Sequence, residues 1–439
     1  MMRLLLLMLC GLLSLSLGAQ DISGKADAPQ EVLTVERAVE LALRASSALQ
    51  KEAIDLELDR IAAKSLWARI FPSISASAGV SYAIPLKSDS VKQDPSYTGT
   101  LRLSLSLGAG LPLTMRNLSL SYRRGLLDYN SVRRQLVLAT EKSFYRLLAA
   151  EQSLAVLEDS MRLAVDQLER DRVARQNGYV GELDFMSASL GAETARLDYT
   201  RGQAAYAAAF ADFLLVLDLD AGRGNLPKLQ GSVEAEAFSV DGDELVRTRL
   251  AFRPDLAAQR IEVERLKNAH SESFLSAKAP SLSFSLSSGA VYPDGLNDAM
   301  SAGITLNIPL DAWIPRSLSD QQVSRAGAEY EKAVLDLRDL EKSARSDIQT
   351  RALNLETAWK EVEIAALQVQ YARRAYELSE QGYRRGTINF LDFETARGKL
   401  TAARQQLLES SLNYKLQILD LCAALDMDED DLRAMNRTE

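Results

Sequence analysis

The sequence predicts a mainly α-helical chain with a β-barrel portion, in which long antiparallel coiled-coil hairpins join four membrane-spanning strands in two internal repeats. Three observations predict it. Landmarks recur at one fixed offset, apolar seams run too long for a compact globule, and in four stretches the hydrophobic period falls from that of a helix to that of a strand.

The repeat comes first. Gly178 to Ala188 and Gly386 to Ala396 share the pattern G-x4-L-D-F-x2-A, a shift of 208 residues (386 − 178 = 208). The same ungapped shift carries Leu217-Asp218-Leu219-Asp220 onto Leu425-Asp426-Met427-Asp428, and Pro72-Ser73-Ile74-Ser75 onto Pro280-Ser281-Leu282-Ser283. Three landmarks at one offset point to a duplicated unit. The expected division is a leader at 1–19, a first repeat at 20–220, a linker at 221–248, a second repeat at 249–428 and a C-terminal tail at 429–439.

Between the landmarks the period is helical. Leu154, Leu157, Met161, Ala164 and Leu168 are spaced 3, 4, 3, 4, and Val362, Ala365, Val369, Ala372 and Tyr376 repeat that spacing. Both are coiled-coil seams, and such a stripe is structural rather than a cofactor box. One helix is expected from about Leu126 to Gln176 and another from Ser324 to Gln381. Gly178 and Gly386 suit the left-handed position that ends a helix, and Asp184 and Asp392 lie where a carboxylate caps or favours the next one. Each half is thus expected to hold an antiparallel hairpin with a tight tip. The segment Met115 to Tyr129 reads both ways, because Leu118, Leu120 and Tyr122 keep a two-residue period where a helix should begin.

The strands are expected at about 73–84, 99–112, 281–291 and 299–310. Ile74 and Val80, Leu103 and Leu105, Leu282 and Phe284, and Ile304 and Leu306 fall on one face, opposite Ser, Gly and Thr. Runs of this length suit a tilted strand crossing a bilayer. Tyr82, Tyr97, Tyr292 and Trp313 near the strand ends suit the interface. The outer connections would be the polar stretch Pro85 to Ser96 and the turn Pro293-Asp294-Gly295. Four strands cannot close a barrel, and open edges do not survive in lipid, so copies must combine. Two would give eight strands with a filled interior, three would give twelve and a wider lumen.

Composition narrows the chemistry. Lys plus Arg total 51 against 60 Asp plus Glu, a net charge of −9 without a basic cluster, which argues against nucleic-acid binding. Arg3, the apolar run Leu4 to Leu17 and Gly18-Ala19 read as a secretory leader. Cys10 lies inside it, leaving Cys422 as the single mature cysteine, expected to be buried among Leu419, Leu421 and Leu425. His270 is the only histidine, expected at the surface, so a zinc site of the usual N/S kind is not available. Gly222-Arg223-Gly224 lacks the flanking strand and Lys-Ser/Thr of a phosphate loop. The expectation is neither an enzyme nor a cofactor protein.

At this point the chain resembles the TolC-like outer-membrane efflux proteins. Leu33 to Leu43 is similar to the family's opening helix, Arg253-Pro254-Asp255-Leu256 to the start of its second repeat, and Ala279-Pro280-Ser281-Leu282 to its entry into the barrel. Tyr383-Arg384-Arg385-Gly386 followed by Leu391-Asp392 is similar to its hairpin tip. The resemblance implies a homotrimer in outer-membrane lipid with a 12-stranded barrel and an α-barrel reaching into the periplasm. It further implies an exit duct that docks a periplasmic adaptor protein and an inner-membrane pump, for efflux or type I secretion. The tips around Gly178, Gly181, Tyr383 and Gly386 would meet the adaptor, and Asp392 would form the periplasmic gate. Asn389 stands where some relatives place a second carboxylate. The alternatives are a periplasmic coiled-coil adaptor, which needs one hairpin flanked by compact β-domains, or a soluble scaffold.

Overall fold

The computed structural model describes residues 33–82, 95–219, 229–233, 236–237, 240–292 and 295–436. The expected leader, the connection at 85–94, Gly222-Arg223-Gly224 and Pro293-Asp294 lie outside them. The chain opens with α1 (Val35–Ala45) and α2 (Ser47–Lys64), capped by the hydroxyls of Thr34 and Ser46. Strands β1 (Ser73–Ser81) and β2 (Ser96–Leu107) lead into α3 (Leu111–Gln176), which folds back as α4 (Glu182–Val216). Then come α5 (Gly242–Arg249), α6 (Pro254–Lys278), β3 (Ser281–Tyr292) and β4 (Gly295–Asn307). Helices α7 (Leu318–Arg384), α8 (Phe390–Leu425) and α9 (Glu429–Asn436) complete it.

The 66 residues of α3 and 67 of α7 each run on the order of 100 Å at the rise of an α-helix. They pack along α4 and α8 respectively, and α3 also lies against α8, which joins the hairpins. In the second seam Val362, Ala365, Val369 and Ala372 are buried, as their spacing predicts. In the first, Ala164 is buried against Ala192 and Ala195 of α4 with Met161 and Leu168 beside it. The helices approach closely where α4 lacks side chains: a Cβ on Gly202 would stand 2.6 Å from Leu157 Cδ1.

Two larger cores lie nearer the middle of the long helices. One gathers Ile348, Leu355, Val362, Tyr414, Ile418, Leu421 and Cys422, and the other Ala38, Phe144, Leu147, Leu148, Phe213 and Leu217. Cys422 is buried, and burial pushes its thiol up to about 12, so it is an inert packing group. The expected tail is instead α9, whose Leu432 enters the first core while Lys415 holds Glu429 at 2.7 Å. The last part of the expected linker is α5, whose Leu245 joins the same core. His270 is half-buried against α7, where Gly327 leaves room for the imidazole edge.

Helix α3 begins fifteen residues before the expected Leu126 (126 − 111 = 15), and β2 ends at Leu107 rather than 112. Gly108-Ala109-Gly110 breaks the strand, and Pro112 in the first turn has no N–H to lose. Leu120 is buried on the helix face, so the apparent two-residue period there was coincidental. Helix α7 likewise starts at Leu318, capped by Ser317, rather than at Ser324.

The four strands form one antiparallel sheet in the order β1-β2-β3-β4. The sheet makes no extended contact with any helix. Its outer strands each pair on one side only among the described residues.

Candidate functional site

The pairing register sorts the sheet into two faces. Ile74, Leu103, Leu286 and Ala302 stand in one cross-strand row; Leu105, Phe284 and Ile304 form the next, and Leu107, Leu282 and Leu306 the one after. Val80 pairs with Tyr97 further along the same face. This face is bare: Ile304 is 71% and Ile74 64% exposed, and Val80 and Leu306 are exposed as well. An uncovered apolar area spanning four strands requires a partner or lipid.

The opposite face carries rows such as Ser73, Ser104, Ser285 and Gly303, or Ser106, Ser283 and Thr305. Its hydroxyls bond to one another across strands. Ser73 and Ser104 lie 2.8 Å apart, Ser77 and Thr100 2.6 Å, and Ser81 and Ser96 2.7 Å. Such a face is wettable, whereas the first is not.

At the far end of the hairpins, each long helix closes on a left-handed glycine. Gly178 has φ +74° and Gly386 φ +71°, a region in which a Cβ is strained. Asn177 N–H and Gly178 N–H bond back to Ala174 and Arg175 carbonyls, and Gly386 N–H to Tyr383 O at 2.9 Å. Gly181 starts α4 without a side-chain cap, with Glu182 and Asp184 in the first turn. At the second tip Asn389 is the capping residue, its Oδ1 accepting from Asp392 N–H at 2.8 Å. The cap expected of Asp392 therefore belongs to Asn389. Asp392 is exposed one turn later, where the positive end of the helix favours its charge.

Tyr383, expected among the tip residues that meet the adaptor, is half-buried and packs within the chain. Its ring stacks on Phe393 with centroids 5.3 Å apart and meets Phe390 edge-on at 5.7 Å. Ala188 of α4 and Leu168 of α3 pack into the same cluster. The Tyr383 hydroxyl donates to Asp171 Oδ1 at 3.1 Å, and Gln167 Nε2 donates to the same oxygen at 2.8 Å. Asp171 Oδ2 is buried without a partner. Burial raises the Asp171 carboxyl above its usual range, although Gln167 and Tyr383 oppose this. Burial and the Asp171 charge raise the Tyr383 phenol. Asp171 continues the 3-4 spacing of the first seam from Ala164 and Leu168, and an acid on an apolar stripe is the sequence signal that could have found it.

A second buried charge lies along α8. Arg397 is buried and paired with Glu394, whose carboxyl is raised by burial against the pull of Arg397. Gly191 of α4 makes room for it, since a Cβ there would lie 3.0 Å from Glu394 Oε1. Near the central cores, Glu141 is pushed up to about 7, first by burial and then by Glu429, with Lys415 opposing and Asp428 and Glu36 adding. Burial would also raise Glu429, but hydrogen bonds and charges from Lys415 and Arg433 outweigh it and hold that carboxylate low.

Among the described residues no group of His, Cys, Asp and Glu is placed to hold a metal ion, and no helix is long and apolar enough to cross a membrane.

Residues 245–425 match the family model described as outer membrane efflux protein. No curated protein matches the chain by sequence. Among solved structures, the CmeC outer membrane channel of Campylobacter jejuni superposes with a TM-score of 0.75 at 17% identity, covering 92% of this chain and 89% of that one. The outer membrane protein VceC of Vibrio cholerae gives 0.71 at 16% identity, covering 89% and 95%. The open state of the MtrE outer membrane channel of Neisseria gonorrhoeae gives 0.72 at 17% identity, covering 90% and 89%. At these identities the likeness is one of fold. Matched by the outer membrane efflux protein model over residues 245–425 and by fold along nearly its whole length, the chain is similar to outer membrane efflux channels.

Proposed function

We propose that the chain is the outer-membrane exit duct of a tripartite efflux or type I secretion machine, conducting its cargo passively through a homotrimer. The observation that carries this reading is the sheet: apolar and bare on one side, hydroxylic on the other, with an edge strand on each side that pairs with no further strand among the described residues. Three copies joined edge to edge give a closed 12-stranded barrel in which every interior strand edge is satisfied. The apolar face then meets lipid and the hydroxylic face lines water. Ile74, Val80, Leu103, Leu105, Leu282, Phe284, Ile304 and Leu306 are the lipid-side residues in this assembly.

The leader at 1–19 would direct export, and the repeats at 20–220 and 249–428 would each supply two strands and one hairpin. The tips at Gly178, Gly181 and Gly386 would dock a periplasmic adaptor beneath which an inner-membrane pump operates. Asp392 would project as a three-fold carboxylate ring at the periplasmic end, with the Asp171–Tyr383 bond holding the two hairpins of each protomer in the narrow arrangement.

The adaptor and scaffold alternatives leave the bare sheet face unexplained. Fractionation followed by cross-linking and planar-bilayer recording tests the proposal. Detergent-dependent trimers that form channels support it; a soluble dimer recovered without detergent sinks it.

A further inference from the structure

We propose that Arg102 sets the charge preference of the pore, as one of three guanidinium groups ringing the inside of the barrel at mid-height and drawing anionic cargo that bears carboxylate, phosphate or sulfate. The inference rests on the trimeric-duct reading and adds to it a selectivity that a Ser/Gly-lined tube alone would lack.

The register fixes its face. Arg102 pairs with Ser75 on one side and Ser287 on the other, and Ser287 pairs in turn with Ser301. The rows on either side, Ser73–Ser104–Ser285 and Ser77–Thr100–Gly289, are hydroxylic or bare, while the alternate neighbours Leu101 and Leu103 belong to the apolar face. Arg102 is the seventh of the twelve residues of β2, and its side chain is exposed. Among strand residues whose side chains are described it is the one charged group.

Neutral hydroxyls solvate an anion but do not attract one from a distance. A fixed cation in a narrow water-filled tube with low-dielectric walls does, because the walls focus its field. The guanidinium fork also matches carboxylate and phosphate oxygens two at a time, which a lysine cannot reproduce. The acidic balance of the rest of the chain makes a lone basic position in the barrel the point at which anions would be favoured.

The test is reversal potential in a KCl gradient, recorded from purified trimers in planar bilayers. The Arg102→Gln channel is expected to lower the chloride-to-potassium permeability ratio at least about twofold, Arg102→Glu to lower it further, and Arg102→Lys to keep most of it. Wild-type channels carry a second readout independent of any variant: tripolyphosphate should reduce their current, and high salt should relieve the block. Coinciding reversal potentials for wild type, Arg102→Gln and Arg102→Glu would overturn the assignment, as would absence of block in wild type. A wild-type protein that forms no channels at all would instead overturn the duct itself.

Discussion

The Tyr383 hydroxyl donates to Asp171 Oδ1 at 3.1 Å, fastening the end of α7 to the end of α3 across 212 residues of sequence. One oxygen of the acceptor is satisfied and the other is buried without a partner.

Tyr383→Phe keeps the aromatic stacking and deletes only the donor. Loss of a hydrogen bond to a partly buried carboxyl should cost about 1–3 kcal/mol locally. Faster amide exchange in both tips and a higher single-channel conductance are expected. Tips that exchange at the wild-type rate would show that the bond holds nothing. Because burial raises the Asp171 carboxyl, its contribution is complete at low pH and lost as pH rises through the raised value, so wild-type tips should also loosen toward higher pH.

Glu141 gives a second pH dependence, in the middle of the molecule. Its carboxyl rises from 4.5 to about 7, so the folded state favours the neutral form. Stability linked to it is fully present below about 4.5 and is lost as pH climbs to about 7. Glu141→Gln should therefore be the more stable protein at pH 8, by on the order of 1–2 kcal/mol once solvent screening is allowed for, and should melt like wild type at low pH. Parallel melting curves for the two proteins from pH 4 to pH 8 would contradict this.

The two sheet faces should respond oppositely to charge. Ile304→Arg places a guanidinium on the lipid side, at about 2–4 kcal/mol if near the midplane, while Ser285→Arg places one in water. Trimer yield in the outer-membrane fraction should fall for the first and hold for the second. Equal yields would mean that the apolar face does not meet lipid.

Asp392→Asn isolates charge from capping, because the capping bond belongs to Asn389 and survives the change. Helix stability should drop by no more than about 0.3–1 kcal/mol. Conductance should rise or cation block weaken, and channels indistinguishable from wild type would remove Asp392 from the gate.

Local periodicity made much of this molecule legible. The 3-4 spacing from Val362 to Ala372 marked a buried seam, and the alternation around Leu103 and Phe284 marked the faces the register displays. Where two periods overlap, as at Leu118, Leu120 and Tyr122, alternation misled, and the Gly108 break with Pro112 was the better guide. Residues 429–436 looked like a polar tail because one leucine, Leu432, enters the core there, and a single buried leucine leaves no period. The Asp171–Tyr383 bond joins positions on different hairpins, so no local pattern encodes the pairing. Only the oddity of an acid on an apolar stripe hints at it.

A sheet with no extended helix contact, whose outer strands pair on one side only among the described residues, leaves a solitary copy with much of its sheet surface uncovered. Its oily surface and free edges are what aggregation feeds on. In the proposed trimer each copy would complete its sheet only with its neighbours, so the yield of assembled protein should depend steeply on how many nascent copies arrive together.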